Sequence, residues 1–135
     1  MNINTNNTKL NRALENFLLN WEKINLAGAA LLCGSFVIGV SDESSDIDVN
    51  IVLKKGTSWY ERGCKIVDGF LIEYFADPPE KIINEFKYES KRNNPVTIQR
   101  FLNGKILFEK DDCINFLIKK AKEYSSQYKH EIDEV

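Results

Sequence analysis

Soft metal ligands are scarce in this chain. Cys33, Cys64, Cys113 and His130 are its only cysteines and its only histidine. An odd set of cysteines without C-x-x-C spacing suggests neither a disulfide framework nor a zinc site. A reduced, cytoplasmic setting is therefore expected. With 3 prolines and 7 glycines in 135 residues, the chain has neither collagen-like nor low-complexity character. No apolar run approaches about 18 residues, so no membrane-spanning helix is expected. The Asn-rich first residues lack the apolar core of a signal peptide. An excess of positive charge is also missing: 18 Lys+Arg face 20 Asp+Glu, for a net charge of -2. That balance gives no strong nucleic-acid footprint, although a local basic patch would be compatible with it.

What remains is ordinary for a globular protein: 43% hydrophobic and 28% charged residues. The length fits one domain, residues 1–135, burying roughly two-thirds of its extended surface. Residues 1–8 read as a frayed terminus. Leu10, Leu14, Phe17, Leu18 and Trp21 follow at helical spacing, in a helix expected to end near Asn25. The apolar run 27–33 reads as a buried strand, broken by Gly34-Ser35, with a short helical turn over 36–39 and a polar loop over 41–45. Residues 46–53 alternate, with Ile47, Val49, Ile51 and Leu53 on one face and Asp46, Asp48 and Asn50 on the other, the mark of a second strand.

Residues 54–62 carry no regular pattern and read as a loop. Asp68-Gly69 between two β-type runs predicts a type I′ hairpin. Asp77-Pro78-Pro79-Glu80 reads as a helix start with Asp77 as N-cap. Asn94-Pro95 opens another helix, which stops at Asn103-Gly104 by the usual C-terminal glycine preference. A short strand is expected near 105–108. Residues 112–135 read as a last helix, capped by Asp111 or Asp112, and a tail. The sum is one α/β (α+β) domain, a mixed β-sheet with helices packed on it.

Three carboxylates stand in apolar surroundings. Asp46 and Asp48, two apart on one strand, point to the same face. Glu73 interrupts the run Phe70-Leu71-Ile72-Glu73-Tyr74-Phe75. Clustered carboxylates repel one another, and burial penalises their charge. A divalent cation offsets both costs, and an all-oxygen set suits Mg²⁺ or Mn²⁺ rather than zinc. Gly34-Ser35 lies where a strand gives way to a short helix. A small residue there lets a phosphate approach the backbone amides and the Ser35 hydroxyl.

The full pattern is Gly34-Ser35-x3-Gly39-x5-Ser45-Asp46-Ile47-Asp48-Val49, followed by Ile72-Glu73-Tyr74. It resembles the nucleotidyltransferase superfamily of the DNA polymerase β type. The hairpin before Glu73 and the stretch Asn103-Gly104-Lys105-Ile106-Leu107-Phe108 look like the small bacterial branch. The resemblance implies that Asp46 and Asp48 bind two Mg²⁺ ions, that Glu73 holds the catalytic one, and that Gly34, Ser35 and Ser45 meet the phosphates of ATP or another NTP. It also implies transfer of a nucleoside monophosphate to a hydroxyl acceptor, with release of pyrophosphate.

One departure stands out. Where many small members carry Arg, this chain has Phe36, Val37 and Ile38. Phosphate charge must then be met from elsewhere, and Lys54, Lys55, Arg62, Arg92 and Arg100 are candidates that the sequence does not place. Larger relatives of the antibiotic-modifying type bind their acceptor with a second helical domain. Minimal relatives are often antitoxins that modify or bind a HEPN-type toxin, so a HEPN-type partner or a homodimer is one expectation. The competing reading is a catalytically inactive nucleotide-binding module. For Glu73, the plainest alternative is a salt bridge, for instance to Lys65. Trp59 and Tyr60 fit either packing or stacking on a base.

Overall fold

The computed structural model describes residues 3–34 and 47–133. Five strands form one mixed sheet: β1 Ala27–Cys33, β2 Ile47–Leu53, β3 Glu61–Val67, β4 Phe70–Asp77 and β5 Lys105–Glu109. Their spatial order is β3-β4-β2-β1-β5. Only β2 and β4 run parallel; the other neighbouring pairs are antiparallel. Four α-helices complete the described fold: α1 Thr8–Asn20, α2 Pro79–Arg92, α3 Val96–Asn103 and α4 Cys113–Asp133. None is long and apolar enough to cross a membrane.

The alternation read in β2 sorts the molecule into two cores. Ile47, Val49, Ile51 and Leu53 join Ile72, Tyr74 and Ala76 of β4 under the apolar stripe of α1. On the other face Ala29, Leu31, Cys33 and Val52 pack against α2, α3 and α4 through Ile82, Phe86, Ile98, Phe101 and Leu117. Asp48 and Asn50, in phase with Val52, share this second face, and so do Glu73, Phe75 and Asp77 of β4.

Several local expectations change on inspection. The chain start is tied down rather than frayed from Ile3 onward. Ile3 enters the core, the Thr5 amide donates to Asn11 Oδ1 at 2.8 Å, and Asn7 Oδ1 caps α1 through the Leu10 amide. The first helix ends at Asn20, and Ile24–Leu26 form a separate 3₁₀ turn. The segment expected to be a loop to Arg62 already becomes strand at Glu61.

Asp68 and Gly69 both have positive φ, 51° and 85°, as a type I′ turn requires. Asp77 is not a helix cap. It ends β4, and Pro78 holds the cap position without a side-chain bond. Asp77 Oδ1 instead lies 2.9 Å from Arg62 and 3.4 Å from Lys81. Gly104 does end α3, but with φ −67°, outside the left-handed region. Its lack of a side chain matters for space: a Cβ there would lie 2.5 Å from the Arg100 carbonyl oxygen. At the start of the last helix the Asp111 carboxylate accepts from the Cys113 amide, and the Asp112 carbonyl accepts from the Phe116 amide.

Candidate active site

The parallel register of β2 and β4 sets Asp48 directly beside Glu73. Neighbouring strands lie about 4.8 Å apart, and cross-strand partners share a face. The two carboxylates are therefore side by side, both half-buried, on the helix-covered face of the sheet. Cys33 is Asp48's partner on β1, and Cys64 is Glu73's partner on β3. The row across the sheet thus runs Cys33, Asp48, Glu73, Cys64. Lys65 pairs with Ile72 and so projects from the opposite face. Among the described residues no ion pair joins it to Glu73.

The other members of the sequence motif are less accessible. Ser35, Ser45 and Asp46 lie outside the described residues, as does the helical turn expected over 36–39. Gly34 follows β1 with φ 90°, a conformation open to glycine and strained for other residues. Among the described residues, no group of three His, Cys, Asp or Glu side chains is placed to hold a metal. Two of the three expected carboxylates are together, and the third falls two residues before Asp48 on the sequence.

Two residues further along the strands lies a second row that the sequence motif did not include. Asn50 is the partner of Phe75 on β4. The Asn50 side chain is only 4% exposed, and its Oδ1 accepts no hydrogen bond from the described residues. The Phe75 ring carries two guanidinium groups, Arg100 at 4.4 Å and Arg62 at 5.2 Å from its centroid. Arg62 and Lys81 also flank the exposed Tyr60 ring, at 5.4 and 4.6 Å. Trp59 belongs to the margin of the first core, with Lys23 4.9 Å over its ring.

Electrostatics links the two rows. Burial pushes the Cys33 thiol up to about 12; the Arg100 guanidinium pulls against that rise and Asp48 adds to it. Cys33 thus stands within the field of both a cation and a carboxylate. Its thiol donates to the Arg100 carbonyl oxygen at 3.7 Å, which ties α3 to β1.

As a donor set, Asp48, Glu73 and the Asn50 amide oxygen are hard oxygens on one face of two adjacent strands. That composition fits a hard dication such as Mg²⁺ or Mn²⁺ and is a poor match for zinc. Only Asn50 could have been added from the sequence, as the next polar residue in the alternation after Asp46 and Asp48. Phe75 and Arg100 carry no local signal, because a strand and a helix 25 residues apart bring them together. Compared with known protein families and with curated proteins, the chain matches none.

Proposed function

We propose that the protein is a metal-dependent nucleotidyltransferase that moves a nucleoside monophosphate, AMP from ATP in the first instance, onto a hydroxyl acceptor. The observation that carries this reading is the side-by-side placement of Asp48 and Glu73 on parallel strands. Carboxylates from adjacent strands on one face offer hard oxygen donors that a single dication can share. The Gly34-Ser35 and Asp46-x-Asp48 spacing supplies the remaining support.

When bound, two Mg²⁺ ions would act as Lewis acids on the attacking and leaving oxygens of an in-line displacement. Asp46 and Asp48 would hold both ions, and Glu73 the one nearer the acceptor. Glu73 then takes the proton of the acceptor hydroxyl. The hydroxyl oxygen forms a bond to the α-phosphorus as the bond to the bridging oxygen of the β-phosphate breaks. Pyrophosphate departs with that oxygen and its electron pair. Gly34, Ser35 and Ser45 would hold the outer phosphates in line.

Calorimetric titration with ATP, with and without Mg²⁺, tests the reading. Wild-type protein should bind ATP only with the metal, and the Asp46→Asn, Asp48→Asn double variant should lose that binding. Unchanged ATP affinity in the double variant rejects the site. Glu73→Gln should retain ATP but release no pyrophosphate in the presence of an acceptor that supports wild-type turnover.

A further inference from the structure

We infer that Arg100 is the phosphate-binding cation of this site, held on Phe75 so that it meets the nucleotide's polyphosphate beside Asp48 and Glu73. The inference rests on the nucleotidyltransferase reading and gives it a residue that the motif lacks. The triphosphate, together with Asp48 and Glu73, brings more negative charge than two dications neutralise. Phe36, Val37 and Ile38 contribute no cation of their own.

Among the candidate cations, geometry separates Arg100 from the rest. Lys54 and Lys55 follow the far end of β2, beyond Leu53, at the opposite end of the strand from Asp48. Arg62 is on the right face but is engaged with Asp77 at 2.9 Å. Lys81 is shared between Asp77 and Glu85. Arg92 stacks on the exposed Tyr88 in the last turn of α2. Arg100 makes no ion pair with any described residue, and its guanidinium sits 4.4 Å over the ring of Phe75, two residues from Glu73 on the same face of β4. Its carbonyl oxygen accepts from the thiol of Cys33, Asp48's partner on β1, so the residue stands beside that row.

The way Arg100 is held suits the task. Cation–π attraction to the Phe75 ring positions the guanidinium, and its N–H donors make no ion pair with the described residues, so they can serve two phosphate oxygens. The helix behind it is fixed at both ends. Glu89 accepts from the Thr97 and Ile98 amides at 2.8 and 3.1 Å, and the Arg100 carbonyl accepts from Cys33 and from the Gly104 amide. Ile98 and Phe101 anchor its apolar side in the second core. Little freedom is left to lose when a phosphate arrives.

The test compares wild type, Arg100→Gln, Arg100→Lys and Arg92→Gln by calorimetry with Mg²⁺ and three probes: ATP, AMP and inorganic tripolyphosphate. Thermal melts check that each variant is folded. Arg100→Gln should weaken ATP and tripolyphosphate about tenfold or more, the loss expected for a charge-assisted bond. AMP affinity should change much less. Arg100→Lys, which keeps the charge without the fork, should fall between, and it decides the matter if the Gln variant does not fold. Arg92→Gln, which removes an equally stacked arginine elsewhere, should match wild type.

ATP affinity unchanged in Arg100→Gln, or equal losses for ATP and AMP, overturns the inference while leaving the nucleotide site standing. Wild-type protein that binds neither ATP nor tripolyphosphate removes the nucleotidyltransferase reading and the role of Arg100 together.

Discussion

Tyr74 fills the space that a side chain at position 63 would need. A Cβ on Gly63 would lie 2.7 Å from the Tyr74 hydroxyl and 2.8 Å from its ring carbons. The two residues are cross-strand partners in the β3–β4 pair. Tyr74 is held from several sides. Its ring packs on Phe17 and Trp21, at 5.3 and 6.1 Å, and its hydroxyl donates to Glu61 at 2.9 Å. Gly63→Ala should therefore destabilise the fold by about 1–3 kcal/mol, the cost of overpacking, despite alanine's lower backbone entropy cost. The same change in a Tyr74→Leu background should cost less, because the obstructing ring is gone. Urea melts of the four proteins in this cycle measure the difference. Equal costs in both backgrounds would show that the ring is not what constrains position 63.

Thiol reactivity should divide the three cysteines sharply. Cys33 is buried with its proton affinity raised to about 12, so almost none of it is thiolate near neutral pH. Cys113 is partly buried and also raised, first by burial and then by the Asp111 carboxylate. Cys64 is exposed on the edge strand. Native protein treated with a disulfide reagent near pH 8 should lose Cys64 first and Cys33 only on unfolding. Cys64→Ser should abolish the fast phase. A fast phase that survives this substitution would mean that the second core opens readily.

The same contrast between local and distant causes explains what could be read before the structure. Asp68-Gly69 was legible because two adjacent residues fix a type I′ turn without outside help. The β2 alternation was legible because burial on one face imposes period two. That Asp48 would stand beside Glu73 was not derivable from periodicity. It depends on a parallel pairing across 25 residues of chain, with the β3–β4 hairpin in between. Asp77 was misread for the opposite reason. Its setting before Pro78-Pro79 looks like a cap, but Arg62 on the adjacent strand and Lys81 one helical turn on compete for the carboxylate. Arg62 itself lay in a segment with no pattern of its own, because β3 is an edge strand with little buried surface to constrain its residues.

Acid stability should depend on Glu61. Its carboxyl is held below the usual carboxylate range, mainly by the Lys23 ammonium bonded to it, with Tyr74 and Trp21 donating as well, against an opposing effect of burial. A folded value below the unfolded one means that the stabilisation is fully present above the ordinary carboxyl range. It is lost as pH falls through the lower folded value. Glu61→Gln should therefore lower stability at neutral pH and reduce the further loss between neutral pH and about pH 3. Urea midpoints at the two pH values give the comparison. Parallel losses in wild type and variant would assign the acid sensitivity to other carboxylates.

Glu89 offers the sharpest test of how α3 is held. It is a buried carboxylate, 8% exposed, in the last turns of α2. Pro95, at the cap position of α3, provides no side-chain bond, so the first amides of that helix depend on a distant acceptor. Glu89 Oε1 and Oε2 both accept from Thr97, and Oε1 also accepts from Ile98. Its negative charge also complements the positive end of the α3 dipole. Glu89→Gln keeps one acceptor oxygen but removes the charge. Glu89→Ala removes both and leaves buried amides unpaired, at about 1–3 kcal/mol. Stability should accordingly fall in the order Glu, Gln, Ala, and amide hydrogen exchange at Thr97 and Ile98 should accelerate in the same order. If Glu89→Ala were as stable as wild type, the carboxylate would not be what secures the start of α3, and the rigid support argued for Arg100 would have to come from Ile98, Phe101, the Cys33 thiol and the Gly104 amide.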